Sequence, residues 1–277
     1  MSSHIANIFE FIARAGLLAR AVVYGLIAAL LLAAAIMPGL SENGYSPTES
    51  FQKLETETGG QIALVLIGLG LMMYALWRYI QGILDTSDEG NDAKGYVARV
   101  GMLSSGTSYL LVGIGAFSVL MGQNSGSGGG TTEKFAEFAL GQAFGTILLG
   151  IAGLGIIVIG GIQIWRGLSG KWEESLDLPS DKQNVRRAIT LAIAGRGLLI
   201  GLVGAFLMWA AFVGSADQAK GLSSILGWLR DQPYGLYLYV AAALAIGGYG
   251  LYSLVETRYK KVDLNTGDAM TLSGKVT

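Results

Sequence analysis

Apolar and polar residues fall along this chain in long blocks rather than in short alternation. Six apolar blocks are long enough to cross a bilayer at about 1.5 Å of rise per residue. They are Leu17–Met37, Gln61–Leu84, Val100–Met121, Gly145–Leu168, Ala188–Val213 and Gly235–Val255. The last four carry no charge near their centres. A segment in lipid must satisfy its backbone groups internally. Each block is therefore predicted to be a helix, and the helix penalty of its glycines matters less than in water.

The polar connections alternate in character. Residues 38–60, 122–144 and 214–234 contain Lys53, Lys134, Lys220 and Arg230, four cations. The other flanks hold fifteen: Arg14, Arg20, Arg78, Lys94, Arg99, Arg166, Lys171, Lys182, Arg186, Arg187, Arg196, Arg258, Lys260, Lys261 and Lys275. Cation-rich loops stay on the cytoplasmic side, so both termini and the tail, residues 258–277, are expected there. A cysteine at Ser46 or Ser127 should then label from outside, and one at Ser180 should not. Trp77 and Trp165 at inner helix ends and Trp209 near an outer end are expected at headgroup level.

Each outer connection carries a short amphipathic piece: Phe51 and Leu54; Phe135, Phe138 and Leu140; Leu222, Ile225, Leu226 and Leu229. These predict short helices lying at the outer membrane interface. Each leads to a glycine that opens the next helix, Gly60, Gly145 or Gly235. Gly122–Gly130 reads as a flexible link into the second piece.

The pattern repeats three times, over about 13–84, 98–168 and 188–257, within one membrane domain spanning 1–277. Ala13–Leu32 has copies at Ala98–Phe117 and Ala194–Leu207. Arg20, Ser105 and Arg196 share one position, and Tyr24 aligns with Tyr109. In the second helices Trp77–Arg78 aligns with Trp165–Arg166, and Tyr74–Trp77 with Tyr249–Tyr252. That register gives the fourth helix three extra residues, expected as a bulge or a longer inner end. The first block also fits a cleaved signal peptide, with basic flanks and small residues Ala33–Ala35. Its internal copies argue that it is retained.

Ala19–Tyr24, Tyr74–Arg78, Gly195–Gly197, Gln232–Gly235 and Gly248–Glu256 taken in order resemble a family of bacterial multi-pass membrane proteins, domain of unknown function 1206. The resemblance spans nearly the whole chain. It implies an all-α integral membrane fold of six transmembrane helices, arranged as three parallel helical hairpins with pseudo-threefold symmetry. It implies no activity. Ser105 departs from the repeated arginine, which argues against a strict threefold functional ring. Mitochondrial carriers share the three-hairpin plan, but their proline and paired-charge signature is missing, so that likeness is one of architecture only.

Composition narrows the chemistry. The chain has 42 glycines, no cysteine, a single histidine (His4) and a net charge of −1. Disulfides, thiol chemistry and cysteine-ligated metals are excluded; a histidine site is not expected, and neither is a nucleic-acid partner. No metal, cofactor or catalytic constellation is visible. Gly153–x–Gly155 follows no strand and is not a dinucleotide loop. Four-residue stripes, Ala21–Gly25–Ala29–Ala33 and Gly197–Gly201–Ala205, read as close helix packing.

The ionisable residues within the blocks are the remaining signal. An ionisable group in a membrane is expensive and is usually paired. Arg20, Arg196 and Glu256 lie at comparable depth, with Gln81 at the place on the second helix that matches Glu256. Tyr24 and Tyr109 sit one turn beyond Arg20 and Ser105. Together they form a candidate cytoplasm-facing polar cluster able to bind an anion or gate a path. The plainer readings are a structural Arg20–Glu256 pair, packed tyrosines, and arginines snorkelling to phosphates, above all Arg78, Arg99 and Arg166. Gln163 is the one amide deep in an apolar helix and is expected to bond across helices.

Three functions fit. The first is a structural or accessory protein of a bacterial cytoplasmic membrane, binding lipid, a membrane-protein partner or a second copy of itself. The second is a transporter or channel for a small solute. The third, a membrane-embedded enzyme, ranks last because no nucleophile–base set is present.

Overall fold

The computed structural model describes residues 3–36, 45–85, 90, 92–122, 128–176 and 183–259. Ser127, Ser180 and the tail from residue 260 lie outside the described residues. The described chain is helical: α1 Ser3–Ile36, α2 Pro47–Glu55, α3 Gly60–Leu84, α4 Ala93–Leu120, α5 Gly128–Leu140, α6 Gly145–Leu168, α7 Gln183–Val213, α8 Leu222–Arg230 and α9 Gly235–Tyr259. Six of these (α1, α3, α4, α6, α7 and α9) are long and apolar enough to cross a membrane. That is the signature of a multi-pass membrane protein.

Three helices, α1, α4 and α7, begin well before their apolar blocks, extended by one or more turns of mixed polar and apolar residues. Local capping fixes two starts. Asp92 accepts from the Gly95 amide at 2.8 Å. Ser46 and Glu49 cap α2 reciprocally, with Pro47 in the first turn.

The same tight turn joins α2 to α3, α5 to α6 and α8 to α9. The amides of Gly60, Gly145 and Gly235 donate to the carbonyls of Glu57, Gln142 and Gln232 at 2.9, 2.9 and 2.8 Å. Any Cβ at these glycines would overlap the carbonyl oxygen of Leu54, Ala139 or Arg230. The turn thus requires glycine three times for one steric reason.

Counting from these glycines without a gap aligns the second helices. Leu64, Leu149 and Tyr239 coincide, each 0% exposed. Ala75, Gly160 and Gly250 coincide at the closest crossings: a Cβ on Gly250 would lie 3.2 Å from the Ala21 carbonyl, and one on Gly160 would lie 2.7 Å from the Gly197 carbonyl. In the third copy a Cβ on Gly106 would lie 3.2 Å from the Ala75 carbonyl. This register corrects the expected three-residue insertion. α6 is unbroken α-helix with no bulge, and Trp77 does not correspond to Trp165. Trp77 is 4% exposed, packed on Ala13, Leu17 and Tyr74, whereas Trp165 is 54% exposed. Trp77 is therefore a core residue rather than a headgroup anchor.

The six long helices form a ring with one break. Successive repeats pack through α3 on α4, α6 on α7, and α9 on α1. Within repeats, α1 packs on α3 and α7 on α9. Among the described residues, α4 and α6 share no packed interface. A Cβ on Gly70 would overlap that of Ala19, and one on Gly195 would lie 2.6 Å from that of Ala245. At the matching places in the middle repeat, Ser104 and Gly155 are both exposed, and Gly155 faces open space.

Close packing follows the expected stripes in part: Ala21 and Gly25 lie against Gly250, and Gly197 and Gly201 against Gly160, backbone to backbone, while Ala29 and Ala205 are exposed. The tightest seam uses Gly153, Gly160 and Gly167 of α6, which meet Gly204, Gly197 and Thr190 of α7 backbone to backbone. Small residues serve there by letting carbonyls and amides approach, and those glycines are most of what α6 buries.

At the end away from the termini, α2, α5 and α8 cover the bundle. Phe51, Ala136, Ile225 and Leu226 are fully buried in it. Phe135 and Phe138 remain exposed, so α5 docks through its alanines and not through its aromatic rings.

Candidate functional site

All six long helices send a polar or aromatic side chain to one level, in the half of the bundle nearer the termini. Arg20 and Tyr24 come from α1, Tyr74 from α3, Tyr109 from α4, Gln163 from α6, Arg196 from α7, and Tyr249, Ser253 and Glu256 from α9.

Arg20 is 4% exposed, and each of its three nitrogens has a partner. Its Nε donates to Ser253 Oγ at 2.9 Å and its Nη1 to Tyr74 OH at 2.7 Å. Its Nη2 makes a salt bridge with the Glu256 carboxylate, itself 5% exposed. The pair expected from depth alone forms between the first and last long helices. Its guanidinium also lies 5.0 Å from the Tyr74 ring centre and 5.3 Å from that of Tyr249, favourable cation–π placements.

Arg196 has the same aromatic setting and different polar partners. It lies 4.2 Å from the Tyr249 ring centre and 5.6 Å from that of Tyr24. Its Nε and Nη2 donate to Tyr24 OH at 3.3 and 3.1 Å, and its Nη1 donates to Gln163 Oε1. Among the described residues no carboxylate pairs with it. The Tyr24 hydroxyl approaches that of Tyr109 at 3.5 Å. Tyr109, Tyr24, Arg196 and Gln163 therefore form a polar line from α4 to α6, the two helices that do not pack together. All four are only half-buried.

Of the sequence candidates, Arg20, Arg196, Glu256, Tyr24 and Tyr109 converge. Gln81 is buried and accepts from Arg78 at 3.1 Å, one turn back on its own helix. Arg99 does more than snorkel: it donates to the Gly82 and Ile83 carbonyls at 2.8 and 3.0 Å, satisfying the last turn of α3. Tyr74, Tyr249 and Ser253 were not among the sequence candidates. Their signal was present in the alignment of Tyr74 with Tyr249, both facing an arginine.

The gap-free register shows how the copies differ. In the α9–α1 seam, Arg20 faces Ser253 and Glu256. The matching positions of the α6–α7 seam are Arg196, Gln163 and Arg166; those of the α3–α4 seam are Ser105, Arg78 and Gln81. One architecture thus holds a neutralised pair, two cations without a carboxylate, and an arginine bonded to an amide.

Comparison with known proteins agrees with this threefold plan. The chain is 29% identical over 218 residues to the uncharacterized protein YxxB of Bacillus subtilis (strain 168), covering 76% of this chain and 78% of the relative. No solved structure matches. The profile described as Domain of Unknown Function (DUF1206) matches residues 15–85, 100–170 and 191–260. With three matches that together span most of the chain, each about the length of one repeat, the chain belongs to the DUF1206 family.

Proposed function

We propose that this protein is an accessory protein of the bacterial cytoplasmic membrane that binds a membrane lipid in the polar half of its bundle and does not conduct a solute. The supporting observation is the apolar half above the polar cluster. Ile27, Leu31, Leu64, Ala116, Leu199 and Tyr239 form one buried cluster, and Phe51 of α2 and Leu226 of α8 extend it to the covered end. Five of the six long helices, all but α6, contribute to that group together with the short α2 and α8, and its bulky side chains are buried together. A polar solute at Arg196 would have to cross that layer, at the cost of losing its hydration. A lipid need not cross it.

The excess of cations at the ends joined to the termini supports a cytoplasmic placement of the polar half. Purified protein should carry bound phospholipid in native mass spectrometry. Proteoliposomes loaded with ions, phosphate or amino acids should show no flux above protein-free vesicles. Saturable flux of any of these solutes would refute the reading in favour of a transporter.

A further inference from the structure

The three copies of the seam differ in charge at positions that share one geometry. Beside Arg20, Glu256 neutralises the cation. Beside Arg196, the position of Glu256 is filled by Arg166, one turn beyond Gln163 on α6 and exposed. A cation in a membrane-spanning segment is costly unless paired, and here two stand in one seam without a carboxylate among the described residues.

We propose that the α6–α7 seam is a binding site for an anionic phospholipid, whose phosphate takes between Arg196 and Arg166 the place that the Glu256 carboxylate takes beside Arg20. This rests on the lipid-binding reading above and names its site and headgroup charge. Three observations carry it. First, Arg196 has five N–H groups, and its hydrogen bonds to Tyr24 and Gln163 use three. The remaining N–H groups can meet a phosphate, which a guanidinium binds with charge-assisted hydrogen bonds. Second, the missing α4–α6 interface opens the ring at the level of the Tyr109–Tyr24–Arg196–Gln163 line. Access from the bilayer is sideways, through the break that the other two repeats close. Third, α6 presents a large apolar flank beside that break: Leu154, Val158, Ile162 and Trp165 are 53, 52, 45 and 54% exposed. An acyl chain can lie along it while the headgroup meets the arginines, whereas free phosphate gains nothing from it.

The decisive variant is Arg166→Glu, which puts a carboxylate where Glu256 stands in the sister seam. Wild type, Arg166→Glu and Arg196→Gln would be compared by native mass spectrometry. Thermal unfolding would be followed in nanodiscs of phosphatidylcholine with and without phosphatidylglycerol, and with added inorganic phosphate. Wild type should retain phosphatidylglycerol and be stabilised by it. Both variants should bind it about tenfold or more weakly, the loss expected for charge-assisted hydrogen bonds. Arg166→Glu should unfold in phosphatidylcholine at or above the wild-type temperature, since it gains an internal pair. If Arg166→Glu does not fold, Arg196→Gln carries the comparison. Undiminished phosphatidylglycerol binding in the folded variants would overturn the site while leaving lipid binding intact. Failure of wild type to retain any lipid would overturn both readings. Equal stabilisation by inorganic phosphate would overturn the lipid as the source of the anion.

Discussion

Arg20 and Arg196 stand at the same place in two copies of one seam, and what faces them is opposite. Arg20 is sealed against Glu256 and Ser253 across a tightly crossed α1–α9 pair, and against Tyr74 of α3. Arg196 meets an amide and a phenol, with a second arginine at the carboxylate position. A buried pair that is neutralised internally holds helices together and has no net charge to offer a ligand. A cation with neutral partners is held in position and still lacks a counter-ion. On the proposed reading the repeat separates two jobs that one arginine cannot do at once, locking the bundle at Arg20 and receiving an anion at Arg196.

The largest contrast should appear on neutralising each arginine. Arg20→Gln leaves Glu256 buried without the Arg20 cation, and a broken buried pair costs about 3–5 kcal/mol. Glu256→Gln should cost a similar amount. Arg196→Gln strands no buried carboxylate and should cost less, about 1.5–3 kcal/mol, the scale of hydrogen bonds to a charged group. Chemical denaturation in detergent of neutral headgroup checks the difference. Equal costs at both sites would mean that the seams do not differ as their charges imply.

A second contrast lies within α6. A Cβ at Gly160 meets the α7 backbone at 2.7 Å, whereas one at Gly161 meets nothing within 4 Å. Gly160→Val should destabilise by about 1–3 kcal/mol or more through overpacking. Gly161→Val should stay within about 0.5 kcal/mol. The smallest effect should come from Tyr109→Phe. It removes only the 3.5 Å approach to Tyr24 and should change stability by less than about 0.5 kcal/mol.

Much of this molecule was legible in its sequence. Hydropathy placed the six long helices, and the depth of Arg20 and Glu256 anticipated their pairing. The glycines at the start of each second helix also stood out, and the structure supplies their reason, a carbonyl oxygen where a Cβ would be. The register of the second repeat was not legible. Trp77–Arg78 and Trp165–Arg166 match as letters, yet one tryptophan is core and the other exposed. In lipid, a helix face need not be more apolar than its opposite to be the packed one. Gly160, which packs, and Gly155, which does not, look alike in the sequence for that reason. The break between α4 and α6 was hidden for the same cause, since Ser104 and Gly155 are as small as the residues that pack in the other repeats.

That break is the most direct point of attack. The chain has no cysteine, so Ser104→Cys with Gly155→Cys introduces the only two thiols, at positions matching the tightly packed Ala19 and Gly70. Reconstituted in lipid nanodiscs under mild oxidant, this variant should form no disulfide, and both thiols should react readily with a membrane-soluble maleimide. Rapid disulfide formation with loss of labelling would mean that the middle repeat closes like the others, and would contradict an open seam leading to Arg196.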